Sequence, residues 1–177
     1  MLANPSLDGS SGLNKSLRGC YLNIHRESFG HNEYANWQRQ LNLLLYLTKD
    51  WREEWHGALE LHDYRTNACV KRVTPFFNRL LIFHTNEIAF HGHPTKLMCP
   101  ENIARKSVIT YYFTDEGKKF GLKPVLYRPE PSDTAMRRFL ISLDNALLRI
   151  YFPIRKYTPI NDAMVEKVMR FLRLTKD

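Results

Sequence analysis

With 177 residues, 44% hydrophobic and 25% charged, the chain can bury the core of one domain and is not a disordered or fibrous protein. It has no apolar run near the roughly 20 residues of a membrane span and no signal-peptide pattern at its N-terminus, so no membrane partner is expected. The net charge of +8 gathers late, residues 101–177 holding 15 Lys/Arg against 9 Asp/Glu; this reads as a solvated helical surface, and a nucleic-acid partner is not expected.

The first residues, "MLANPSLDGSSGLNKS", are rich in Gly, Ser, Asn and Pro, and residues 1–18 are expected to be a flexible segment. From Gly19 to Thr114 the chain reads mainly as strands. Tyr21–His25 is short and extended. "RQLNLLLYLT" (39–48) is apolar enough to predict a strand buried on both faces. "TKDWREEW" is a loop whose Trp51 or Trp55 would cover the core. "GALELHD" (57–63) alternates, and "NRLLIFHT" (78–85), "IAFHGH" (88–93) and "RKSVITYYFT" (105–114) follow between turn residues. Several short strands with such punctuation predict a sandwich or barrel.

The tail changes to helical spacing. Asp133 is placed to cap a helix with Met136, Phe139, Leu140, Leu143, Leu147 and Ile150 along one face, a stripe expected to pack on the sheet. Pro153 and Pro159 then interrupt, and Asn161 or Asp162 can start a second helix carrying Met164, Val165, Val168, Met169 and Leu172. A single domain is thus expected over 19–177, its strands over about 19–128 and its helices over about 132–175. Cys20, Cys69 and Cys99 form no CxxC pair, which fits a reduced, cytoplasmic setting.

One short stretch carries the chemistry. In "NIHRESFGH" (23–31), His25 and Glu27 stand two residues apart, so an extended backbone presents both on one face. A histidine from a distant strand would complete a two-histidine, one-carboxylate facial triad, which leaves open positions on Fe(II). The competing reading is a charged turn leaving a strand. His31, His56, His62 and His84 read as surface or supporting positions.

"RQLNLLLYLTKDWREEWHGALELHD" (39–63), "PFFNRLLIFHTNEIAFHGHP" (75–94) and "ARKSVITYYFT" (104–114) together resemble the prolyl 4-hydroxylase-like branch of the 2-oxoglutarate- and iron(II)-dependent dioxygenases. The resemblance runs from about Gly19 to Thr114. It implies a mainly β fold with C-terminal helices, the double-stranded β-helix or distorted jelly roll. It also implies iron(II) on His25, Glu27 and His91, the histidine before Gly92 being favoured over His93. Arg105 would grip the distal carboxylate of 2-oxoglutarate with help from Tyr46, and Ser107, two residues along the same face, would add a hydrogen bond. The implied reaction uses O2 to hydroxylate a C–H bond, that of a prolyl residue in a protein or of a small molecule, releasing succinate and CO2.

The chain departs from the family pattern in places. Glu27 stands where aspartate is usual, His56-Gly57 replaces Gly-Gly, and Leu47-Thr48 replaces Leu-Asn. The region before the His-x-carboxylate segment is also short, which predicts an open sheet edge covered by a homodimer or partner chain. These departures keep a second reading open, a catalytically reduced relative that binds a partner.

Overall fold

The computed structural model describes residues 2–3, 11–27, 30–31, 36–117, 125–129 and 133–157. Ten strands follow in order: β1 (Leu2–Ala3), β2 (Gly12–Ser16), β3 (Leu22–Arg26), β4 (Trp37–Tyr46), β5 (Leu59–His62), β6 (Cys69–Val73), β7 (Leu80–His84), β8 (Phe90–His93), β9 (Arg105–Asp115) and β10 (Leu126–Tyr127). A single long helix, α1 (Ala135–Tyr157), closes the described chain.

The strands form two sheets. One has the order β1-β9-β4-β7 with β2 also on β9, and the other has β10-β3-β8-β5-β6. Every pairing is antiparallel, and after β2 the chain passes repeatedly from one sheet to the other. That winding is the double-stranded β-helix expected from the sequence, mainly β with a C-terminal helix.

Burial follows the period-two rule of strands. Asn42, Leu44 and Tyr46 of β4 are buried, and their neighbours Leu41, Leu43 and Leu45 only half-buried, so β4 is not buried on both faces. Leu44, Tyr46 and Val73 form one apolar cluster with Leu81, Phe83 and Ile109. Trp51, Leu97 and Cys99 form a second with Trp55, Phe76 and Ile103, so both tryptophans of the loop serve the core.

Further expectations are corrected. Residues 1–18 are not wholly flexible: Gly12–Ser16 pairs with Arg105–Ile109 of β9, and Leu2–Ala3 with Phe113–Thr114. Backbone pairing offsets the weak strand propensity of "GLNKS", and it takes the β9 edge that the open-edge reading left to a dimer or partner chain. At the helix, Thr134 rather than Asp133 caps the N-terminus, its Oγ1 accepting from the Arg137 N–H at 3.3 Å, while Asp133 pairs with Arg137 at 2.9 Å. The helix then runs on through Pro153 to Tyr157, and the expected second helix lies outside the described residues.

Another correction concerns the apolar stripe. Met136, Phe139, Leu140, Leu143, Leu147 and Ile150 are all exposed, not packed on the sheet. The polar side of α1 makes the attachment instead: Asn145 exchanges two hydrogen bonds with the Tyr127 backbone at 2.7 and 3.2 Å, and Arg137 donates to Tyr21 Oη and Asn23 Oδ1. No helix among the described residues is long and apolar enough to cross a membrane.

Candidate metal and carboxylate site

Two adjacent strands, β3 and β8, bring the first group together. Their register runs from Leu22 opposite His93 to His25 opposite His91, so β3 carries a bulge across from Gly92. A Cβ at Gly92 would lie 2.7 Å from the carbonyl oxygens of both Leu22 and Asn23, a space only glycine can leave open. The bulge and the glycine together set His25 against His91, ring centroids 4.6 Å apart. Glu27 follows one residue after β3. Its Oε1 lies 3.8 Å from His25 Nε2 and 3.7 Å from His91 Nε2, too long for hydrogen bonds, and the three donor atoms lie within 4.8 Å of one another.

Supporting contacts fix these donors. His25 Nδ1 lies 2.9 Å from the Asn23 carbonyl and His91 Nδ1 3.2 Å from that of Ala89. A carbonyl only accepts, so both Nδ1 atoms carry the proton and both Nε2 lone pairs face Glu27. The second oxygen of Glu27 accepts from Arg39 Nη1 at 3.0 Å, and Tyr111 Oη donates to the first at 3.4 Å. Burial pushes the Glu27 carboxyl upward, but the surrounding polar groups, the Arg39 guanidinium among them, outweigh it and hold the group well below the usual carboxylate range. Burial, then the neighbouring His25, depress His91 despite Glu27, which keeps the ring neutral.

A second group lies on β4 and β9. Tyr46 and Ser107 are cross-strand partners, and Arg105 stands two residues before Ser107 on the same face. Arg105 is only 4% exposed; its Nε donates to the Gly57 carbonyl at 2.9 Å and its Nη2 to Tyr46 Oη at 3.4 Å. Among the described residues no carboxylate reaches it, and burial lowers its pKa, opposed only in part by Tyr46. Ser107 Oγ is buried with no hydrogen-bond partner. Gly57, at φ 75°, is required here: a Cβ would fall 2.4 Å from Leu97 Cδ2 and 3.2 Å from Arg105 Cδ. Burial, then the neighbouring Arg105 and His25, hold the His93 pKa down to about 3.

The structure therefore brings His25, Glu27 and His91 into one cluster and Arg105, Tyr46 and Ser107 into another. Arg39 and Tyr111 are additional. Arg39 is three residues before Asn42, the wrong parity for a shared face, but a bulge between Arg39 and Leu41 turns it inward, where its guanidinium stacks 3.8 Å from the Tyr111 ring centroid. No residue pattern announced that bulge. His31, read as a surface or supporting position, is buried edge-on to Trp37 and Phe113.

A family model of the 2OG-Fe(II) oxygenase superfamily matches residues 11–114, more than half of the chain. Among solved structures, a Trichoplax adhaerens prolyl hydroxylase in complex with a hypoxia inducible factor oxygen degradation domain peptide fragment is 21% identical. It covers 66% of this chain and 47% of its own, with a TM-score of 0.49. A Pseudomonas putida prolyl-4-hydroxylase is 16% identical over 56% of this chain and 48% of its own, with a TM-score of 0.41. A prolyl 4-hydroxylase from Phytophthora capsici is 19% identical over 80% and 45%, with a TM-score of 0.45. The chain thus spans about half the length of each. No curated protein matches it.

Proposed function

Because the chain belongs to the 2OG-Fe(II) oxygenase superfamily, we propose that it hydroxylates a C–H bond using iron(II), 2-oxoglutarate and O2. His25, Glu27 and His91 would hold the iron, and Arg105, Tyr46 and Ser107 the distal carboxylate of 2-oxoglutarate. When bound, iron and 2-oxoglutarate supply the oxidising chemistry, with succinate and CO2 as by-products. Both groups fit the residues present. Two imidazoles whose Nδ1 atoms face backbone carbonyls and one carboxylate form a donor set that leaves open positions on Fe(II).

The single observation that carries the reading is Arg105, a buried cation with no carboxylate among the described residues, beside the orphaned Ser107 Oγ. A dicarboxylate reaching that spot would satisfy both. Gly57 holds Arg105 Nε from below and Tyr46 Oη steadies Nη2, so the fork is oriented before a ligand arrives. His93, uncharged at neutral pH, adds no further cation between the two groups. Arg39 keeps Glu27 Oε2 occupied, so the longer glutamate arm offers only Oε1 to the histidines. The Trp51 and Leu97 cluster under Gly57 keeps water from this end.

The finer substrate reading, a prolyl residue in a protein, rests on the resemblance of the sequence motifs to that branch; the Trichoplax relative was solved with a peptide. The test comes before any substrate is known. Fe(II) and 2-oxoglutarate are added without oxygen, and the visible charge-transfer band of the chelated cosubstrate is sought. It should appear in the wild type, vanish in His91→Ala and weaken in Arg105→Ala, with slow succinate formation once air is admitted. Absence of the band in folded, iron-replete protein rejects the enzyme. It leaves the catalytically reduced, partner-binding reading, favoured by the pairing of Glu27 with Arg39.

A further inference from the structure

A second cluster of metal-binding side chains lies away from the first, where β5 meets β6. Glu60 and His62 stand two residues apart on β5, on one face, and Cys69 opens β6. The ladder pairs Glu60 with Arg72 and Leu61 with Lys71, then skips Val70 and sets Cys69 opposite His62. That bulge carries the thiol to the imidazole and the carboxylate, and one donor atom from each residue lies within 4.8 Å of the others.

Both ring nitrogens of His62 face hydrogen-bond acceptors. Its Nδ1 lies 3.0 Å from the Asn67 carbonyl and its Nε2 2.9 Å from Glu60 Oε2. Both partners are acceptors, yet a neutral imidazole has one proton to give. With Nδ1–H on the carbonyl, the Nε2 lone pair meets a carboxylate oxygen, an arrangement that a metal ion or a second ring proton on Nε2 would satisfy. Glu60 is buried, and its other oxygen is engaged by Arg72 Nε at 2.8 Å. One carboxylate oxygen is thus oriented toward Nε2, beside the only sulfur of the cluster.

We propose that Glu60, His62 and Cys69 form a second metal site, taking one divalent ion of the zinc class on Oε2, Nε2 and the Cys69 thiolate. Thiolate, imidazole and carboxylate in a four-coordinate shell are zinc chemistry, and three protein ligands leave a fourth position for water. The carbonyl behind His62 and the arginine behind Glu60 are the outer partners such ligands need. Cys69 Sγ now donates to the Lys71 carbonyl at 3.5 Å, and burial and the Glu60 charge push the thiol pKa up, so binding releases its proton. The ion would clip the edge strand β6 to β5 across the turn between them. This site is independent of the proposed oxygenase chemistry, because it shares no ligand with His25, Glu27 and His91.

Cobalt(II) alone, added to the reduced full chain, is the probe, since a thiolate ligand gives it a charge-transfer absorption that imidazole and carboxylate do not. The absorption should appear with wild type, persist in the His25→Ala/His91→Ala double variant and vanish in Cys69→Ala. His62→Ala should weaken cobalt binding about 100-fold, at the upper end of what single partners contribute to metal sites. No absorption with folded wild type overturns the proposal and leaves a proton as the only cation on His62. Absorption that survives Cys69→Ala overturns it too, by assigning the thiolate to Cys20 or Cys99. Should Cys69→Ala not fold, alkylation of the wild type decides: zinc should slow labelling of Cys69 and not of exposed Cys20, and equal rates sink the site.

Discussion

Glu27 and Glu60 are held alike. Each gives one carboxylate oxygen to an arginine, at 3.0 Å from Arg39 and 2.8 Å from Arg72, and turns the other toward an imidazole whose Nδ1 faces a backbone carbonyl. Their surroundings differ. Glu27 faces two histidines from adjacent strands, and its arginine side chain is 9% exposed. Glu60 faces one histidine and a thiol beside an edge strand, and its arginine side chain is 68% exposed. The contrast teaches that a bound arginine aims the free oxygen, while the strand opposite decides which donors meet it. A buried tether also holds its carboxylate far more firmly than a solvated one.

The largest expected effect comes from removing the close approach that sets His25 against His91. Gly92→Ala drives a methyl into the Leu22 and Asn23 carbonyls, and 2-oxoglutarate turnover should fall about 100-fold, the scale of a 1 Å misplacement. Measured succinate release near the wild-type rate would show that the bulge does not position the site. Arg105→Lys leaves both glutamates untouched and isolates the carboxylate end. Losing a two-pronged charged contact worth about 1.5–3 kcal/mol should raise the KM for 2-oxoglutarate roughly 10- to 100-fold. An unchanged KM would place the cosubstrate elsewhere.

The two arginines provide the direct comparison. Arg39→Met frees Glu27 Oε2, and iron(II) affinity should drop about 10-fold, the lower end for lost outer partners. Arg72→Met should leave iron affinity and succinate production as in the wild type. Equal effects from both would erase the distinction between buried and exposed tethers. The smallest effect lies just before β5, where His56 adopts φ 60° and ψ −147°, a conformation that belongs to glycine. His56→Gly should stabilise the chain by about 1 kcal/mol in denaturant titration, the relieved strain exceeding the added freedom of the unfolded chain.

Most strands of the barrel were legible because alternation, turn residues and apolar runs are local. "GALELHD" and "RKSVITYYFT" are found almost where they were read. β2 and β6 were missed because "GLNKS" and "CVKRV" expose all but their last side chains and owe their strand form to pairing partners. The helix was legible as a helix but not in its orientation. A periodic stripe says which residues share a face, and here Asn145 and Arg137 bind the sheet and leave that face in solvent.

By itself, the sequence determined the strand-rich core, the tail helix, and the candidates His25, Glu27, His91, Arg105, Tyr46 and Ser107, since parity along a strand and family spacing are written in one dimension. Tertiary structure alone decided three further things. It set the bulges that turn Arg39 toward Glu27, oppose His25 to His91 and bring Cys69 to His62. It left Arg105 without a carboxylate among the described residues, and it turned the apolar stripe of α1 outward. A bulge reverses the parity on which strand reading rests, and the partner of a buried charge is chosen across space rather than along the chain.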